Sequence, residues 1–171
     1  MSVNKYQPHV LVLPEDDANR QIANGFLLDP SLLDRRIQVL GEAGGWTQVL
    51  DRLESDHNLD MLRYPERLMV LLIDFDEDQG RLQWAKDRIP NPLAERVFIL
   101  GIWTKPEDLR QAGLGSYEQI GMALAADCRE ETNTIWGHDL LRHNASELDR
   151  LREHARPILF SPTGGQPTCN S

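Results

Sequence analysis

Four short apolar runs, each followed by polar residues and then by apolar positions at helical spacing, organise this sequence. His9-Val10-Leu11-Val12-Leu13 is apolar without alternation, the pattern of a strand buried on both faces. Ala18, Ile22, Ala23, Phe26 and Leu27 then fall on one helix face. Arg36-Ile37-Gln38-Val39-Leu40 predicts a weaker second strand, punctuated by Gly41, Gly44 and Gly45 and succeeded by a helix carrying Trp46, Val49, Leu50 and Leu53. Residues 68–73 form the most hydrophobic run and predict a central strand, and residues 82–89 predict a short helix stopped by Pro90 and Pro92. Residues 96–102 predict a fourth strand.

Beyond it, Pro106-Glu107-Asp108-Leu109 begins a short helix or turn, and Tyr117, Ile120, Gly121, Leu124 and Cys128 form a helical stripe. Asn144-Ala145-Ser146-Glu147 has the form of a helix start and predicts a helix through His154. Pro157-Ile158-Leu159-Phe160 reads as a last strand. Residues 161–171 are Pro, Gly, Thr and Ser without an apolar period, the composition of a disordered tail. Continuous apolar strands separated by helices predict an α/β fold, a Rossmann-like three-layer sandwich with a mainly parallel sheet of four to five strands. A single domain is expected over residues 1–160, with a core at 8–104 and a helical C-terminal extension at 106–160.

The 171 residues carry 27 Asp plus Glu against 18 Lys plus Arg, a formal net charge of -9. Such a mean field repels phosphate, so broad nucleic-acid coating and binding to anionic membranes are disfavoured. No apolar run approaches the roughly 20 residues that span a bilayer. The first residues lack the pattern of a secretory signal, and two cysteines, Cys128 on a helix and Cys169 in the tail, do not make a disulfide framework. A cytoplasmic protein is the expectation.

The excess acids are not spread evenly. Glu15-Asp16-Asp17 follows the first strand after Pro14, and Asp74, Asp76, Glu77 and Asp78 follow the third, with Gly80 beyond. In a sheet of order 2-1-3-4 the first and third strands are neighbours at the topological switch point, where open α/β folds bind ligands. The two clusters then face one crevice, about 5 Å apart at the backbone. If the chain stays extended, Asp74, Asp76 and Asp78 point the same way and Phe75 enters the opposite layer. Gathered carboxylates repel one another unless a cation neutralises them, and hard oxygen donors suit Mg2+ or Mn2+. Gly80 would allow a sharp turn into the next helix, whose N-terminus could face a phosphate. Asp16, Asp17 and Asp78 equally fit the plainer role of capping helix N-termini.

At these residues the chain resembles the Toprim domain shared by topoisomerases, bacterial primases, small nucleases and overcoming-lysogenization-defect nucleases. The carriers of the resemblance are Glu15 after the first strand and Asp74-Phe75-Asp76 after the third, with Gly80 nearby, over residues 8 to 104. Two positions depart from the family pattern: Asp16 stands where many members have Gly, and Gly80 lies one position later than the commonest spacing. The resemblance implies divalent-metal-dependent phosphodiester chemistry on nucleic acid, most simply hydrolysis. In that reading Asp74 and Asp76, with Asp78 and Glu15, hold the metal, and Glu15 moves a proton on the attacking or leaving oxygen. Gly80, Arg81, Arg20 and Lys105 are the candidate phosphate contacts. The alternatives are a non-catalytic module of the same fold that partners a larger protein, and a small-molecule phosphohydrolase.

Other candidate chemistry is weaker. His138 and His143 are five residues apart, which does not place both on one helix face. Cys128 lies on an apolar stripe, as a buried inert thiol does. Gly41-Glu42-Ala43-Gly44-Gly45 lacks the Lys-Ser/Thr of a phosphate loop and reads as a turn. Trp46, Trp84, Trp103 and Trp136 are expected in or near the core.

Overall fold

The strands form where the apolar runs lie. β1 (His9–Pro14) is buried along its length and sits between β2 (Ile37–Val39) and β3 (Arg67–Leu72), with β4 (Val97–Leu100) outside β3. This computed structural model describes residues 2–161. All pairings are parallel in the order β2-β1-β3-β4, with Val12 opposite Val39 and Val70, and Val70 opposite Phe98. The expected order is therefore observed, and the β1–β3 junction is the switch point.

Alternation along the strands divides the core into two layers. Val10, Val12, Leu68, Val70, Phe98 and Leu100 face α1 (Asp17–Phe26), α5 (Pro106–Gln111), α6 (Tyr117–Glu130) and α7 (Ala145–Leu159). Leu11, Leu13, Met69, Leu71, Val97 and Ile99 face α2 (Trp46–Arg52), α3 (Asn58–Arg63) and α4 (Arg81–Asp87). A wider turn at Leu53–His57 joins α2 to α3. Each fully buried Leu or Ile of these layers contributes about 1.5–3 kcal/mol. The α1–α6 pair comes close because Gly121 and Gly25 face each other's backbones. A Cβ on Gly121 would overlap the Ile22 carbonyl, and one on Gly25 the backbone of Glu118.

Residues 157–159 differ from expectation. They close α7 as its last turn, and Phe160 alone makes a bridge to Leu32. Leu148, Ala155 and Leu159 are buried on one helix face, so burial continues at helical spacing through Pro157. The proline forfeits one hydrogen bond near the helix end, which the apolar face outweighs. The sheet consequently has four strands.

The outer edge of β4 is covered by side chains. Arg150 Nη2 donates to the Val97 carbonyl at 3.3 Å, and Glu147 Oε2 accepts the Ile99 N–H at 3.0 Å. Asn144 accepts from Gly101 N–H at 3.1 Å and donates to its carbonyl at 2.9 Å. Three side chains thus occupy backbone groups that would otherwise template another strand. No helix among the described residues is long and apolar enough to cross a membrane. Of the tail expected at residues 161–171, residues 162–171, with Cys169, lie outside the described residues.

Candidate active site

Glu15 is the first residue past β1, and its N–H continues the ladder to the Leu72 carbonyl at 2.8 Å. Past β3 the chain stays extended: Ile73 and Phe75 donate to the carbonyls of Leu100 and Ile102, each at 3.0 Å. Ile73 and Phe75 enter the α2–α4 layer, as alternation requires, and Asp74 points the other way, toward α1. The two strand ends are tied directly, because Glu15 Oε2 accepts the Asp74 N–H at 2.6 Å. On the far side of Asp74, Asn19 Nδ2 donates to Asp74 Oδ1 at 2.9 Å and to Asp16 Oδ1 at 3.0 Å. Asp16 also caps α1 by accepting the Asn19 N–H at 2.8 Å. One buried amide therefore links the acids of both clusters.

Beyond Phe75 the extended reading ends. Asp76 and Glu77 adopt left-handed backbone conformations, with φ of 48° and 58°. Such values are uncommon for residues with a Cβ and concentrate at functional sites. The sharp turn falls on this pair and not on Gly80, whose φ of -80° is ordinary. Asp74, Asp76 and Asp78 consequently do not share one direction. Asp76 Oδ2 meets Arg81 Nη1 at 3.3 Å, and Asp78 accepts the Gly80 N–H at 2.9 Å, so Gly80 has no free donor for a phosphate here.

The electrostatics single out two carboxyls. Asp74, 8% exposed, is pushed up to about 7, first by burial, against the Asn19 hydrogen bond, with Glu15, Asp16 and Asp76 adding repulsion. Burial also raises Glu15, partly offset by the Asp74 N–H and by Arg81. The opposing cation is Arg81, which donates to the Asp74 carbonyl at 2.5 Å and lies 4.4 Å over the Trp46 ring. Arg20 is turned outward, paired with Asp17 and with Glu42 at 3.1 Å. Lys105 is exposed ahead of α5 and forms no ion pair among the described residues.

Whether this set fits a divalent ion turns on its donors. Among the described residues no three His, Cys, Asp or Glu side chains are gathered as a ready metal cage. Mg2+ does not need one: it keeps several waters and commonly takes one or two carboxylates plus substrate phosphate. Glu15 and Asp74 are raised first by burial and secondarily by neighbouring carboxylates, and a bound cation would favour their charged forms. Glu15, Asp74 and Asp76 fit that looser mode, whereas Asp78 is occupied at Gly80.

Asn19 is the residue that sequence reasoning passed over. Its signal was the three-residue spacing from Asp16, the capping-box separation. The loop at 41–45 is a turn laid beside the site, with Ala43 and Gly44 donating to the carbonyls of Pro14 and Glu15. Cys128 is buried and free, its thiol raised by burial. Trp136 is buried, but Trp84 is 46% exposed, resting edge-on against Trp46 at 4.8 Å. Comparison of the chain with protein-family models, with curated proteins and with solved structures gives no match.

Proposed function

We propose that the carboxyl edge of the β1–β3 junction is a Toprim-like site for divalent-metal-dependent hydrolysis of a phosphodiester in nucleic acid. The observation that carries this reading is the direct Glu15–Asp74 contact, which joins two acid clusters 59 residues apart in sequence at the switch point. Asp74 and Asp76, with Glu15, are the residues that would hold Mg2+ or Mn2+. A bound ion would supply charge neutralisation at the phosphate and an activated water. Glu15 takes a proton from the attacking water or returns one to the leaving sugar oxygen, a task suited to a carboxyl raised toward neutrality by burial. Asn19 orients Asp74, and Arg81 fixes the backbone at Asp74 while holding Asp76 in place. A cytoplasmic setting accords with the free, buried Cys128.

Asp76→Asn tests the reading, because Asp76 is exposed and its replacement leaves the core intact. Mg2+- or Mn2+-dependent cleavage of single- or double-stranded DNA or RNA by the full chain should fall by at least about a hundredfold, with the melting temperature preserved. Absence of both metal binding by calorimetry and cleavage by the unaltered chain contradicts it. A second reading, a non-catalytic module that docks on a larger protein, is favoured by the absence of a ready three-ligand cage among the described residues and by exposed Leu59 and Leu62 on α3. Metal-dependent cleavage lost in Asp76→Asn decides against it.

A further inference from the structure

The β3–α4 loop has a second side. Phe75, between the two aspartates, points away from them, and with Leu82, Trp103 and His143 it walls an open cavity of about 650 Å3. That volume is in the range of sites for small organic ligands. The walls are fixed by backbone bonds, from Trp103 N–H to the Leu140 carbonyl and from Glu77 N–H to the Trp103 carbonyl, both 2.8 Å. Phe75 and Trp103 lie near-parallel, 21° apart in plane with centroids 6.4 Å apart, and the His143 ring stands 4.9 Å and 5.3 Å from them.

Polar groups in the same walls lack partners. Thr104 Oγ1 and both ring nitrogens of His143 are shut from solvent without a hydrogen bond. Burial lowers the His143 pKa, against a smaller opposing effect of the Gly101 backbone, so the neutral ring is favoured. It then offers one donor and one acceptor, and the threonine hydroxyl can be either. Buried polar atoms left this way are unfavourable, and a ligand that pairs with them would recover that cost. Arg142 is paired with Asp139 at 3.1 Å, so Glu77 leaves the rim net negative.

We propose that this cavity receives the base of a nucleoside unit, with the half-buried Trp103 and His143 rings, backed by the buried Phe75, as its stacking surface and Thr104 and His143 as its hydrogen-bond reader. The proposal rests on the phosphodiester reading for its place in the reaction, since Phe75 sits between residues of the acid site. Its occupant follows from the walls. A flat ring stacks on the aromatic faces. In this structure the polar atoms of Thr104 and His143 are closed to solvent, and binding requires a rotamer change that turns them toward the edge of the base. A purely apolar ring would leave those atoms unpartnered, and a free anion would meet Glu77.

Calorimetric titration of the full chain with adenosine, guanosine, cytidine and uridine, in a chelator and without divalent ions, tests this. At least one nucleoside should bind and ribose 5-phosphate should not. Thr104→Val and His143→Leu should each weaken binding about tenfold, roughly 1.4 kcal/mol, while the melting temperature does not fall, because the atoms removed have no partner in the fold. Asp76→Asn should bind as the unaltered chain does. The proposal is overturned if no nucleoside binds, or if binding is indifferent to both variants. Nucleoside binding without any metal-dependent cleavage leaves the pocket standing and removes the hydrolase reading; cleavage without nucleoside binding does the reverse.

Discussion

Two carboxyls are buried in this protein under opposite conditions. Glu147 is 2% exposed, yet its pKa is held below the ordinary range. Burial alone would raise it, but Lys86 at 2.6 Å, the Ile99 N–H and Arg150 at 3.1 Å more than compensate. Asp74, nearly as buried, has one amide partner and three acidic neighbours, and is raised to about 7. Glu147 stands where the chain needs an edge strand sealed. Asp74 stands where two strand ends open toward solvent at a switch point. A buried acid with every oxygen matched is architecture, and one left mismatched among other acids is a candidate for chemistry.

The contrast is broken most forcefully at Glu147. Glu147→Ala removes the acceptor for Ile99 and the partner of two cations, and should destabilise the fold by about 2–4 kcal/mol at pH 7, read by urea denaturation. Its pKa is depressed in the fold, so the stability it contributes is present above about pH 4.5 and is lost as pH falls through the folded-state value. The penalty of the substitution should shrink on acidification in that window. An unchanged midpoint at pH 7 would mean that the edge contacts are ornamental.

Asp74→Asn should act with the opposite sign. The folded-state pKa near 7 exceeds the ordinary 3.8, so the native state binds the proton more tightly and this group's stability falls as pH rises from about 4 to 7. Asparagine keeps an oxygen to accept from Asn19 and carries no charge. The variant should gain about 1–3 kcal/mol at pH 8, with the gain vanishing near pH 4, while cleavage is lost. A loss of stability at pH 8 would show that the acid is compensated after all.

The smallest effect belongs to Asn19→Ala. It removes the bridge between Asp16 and Asp74 and should cost about 1–2 kcal/mol. Because the Asn19 hydrogen bond lowers the Asp74 pKa, its removal should also raise the Asp74 midpoint further. A midpoint that stays put would detach Asn19 from the site.

The strands were legible because those covered on both faces read as near-continuous apolar runs such as residues 68–73; the order 2-1-3-4 was a condition that the apolar runs do not themselves fix. Placing Glu15 and Asp74 at one crevice followed from that order. Residues 157–160 misled because Ile-Leu-Phe after proline has β character locally, while the helix partner of Leu159 is Ala155, a residue too small to advertise burial. The bend after Phe75 was assigned to Gly80, since sequence favours glycine for a sharp turn, yet Asp76 and Glu77 take the left-handed conformation. Asn19 was legible only as a helix-start neighbour of Asp16, and Asn144 and Glu147 only as a helix start; their reach to Asp74 and to the edge of β4 depends on partners that only the fold brings near.

The most direct test of the account is the titration of the Asp74 carboxyl followed by carbon-13 NMR, with and without Mg2+. The account predicts a midpoint near 7 in the absence of the ion, moving well downward when Mg2+ is added. A midpoint in the ordinary range around 3.8 that does not respond to Mg2+ would contradict it.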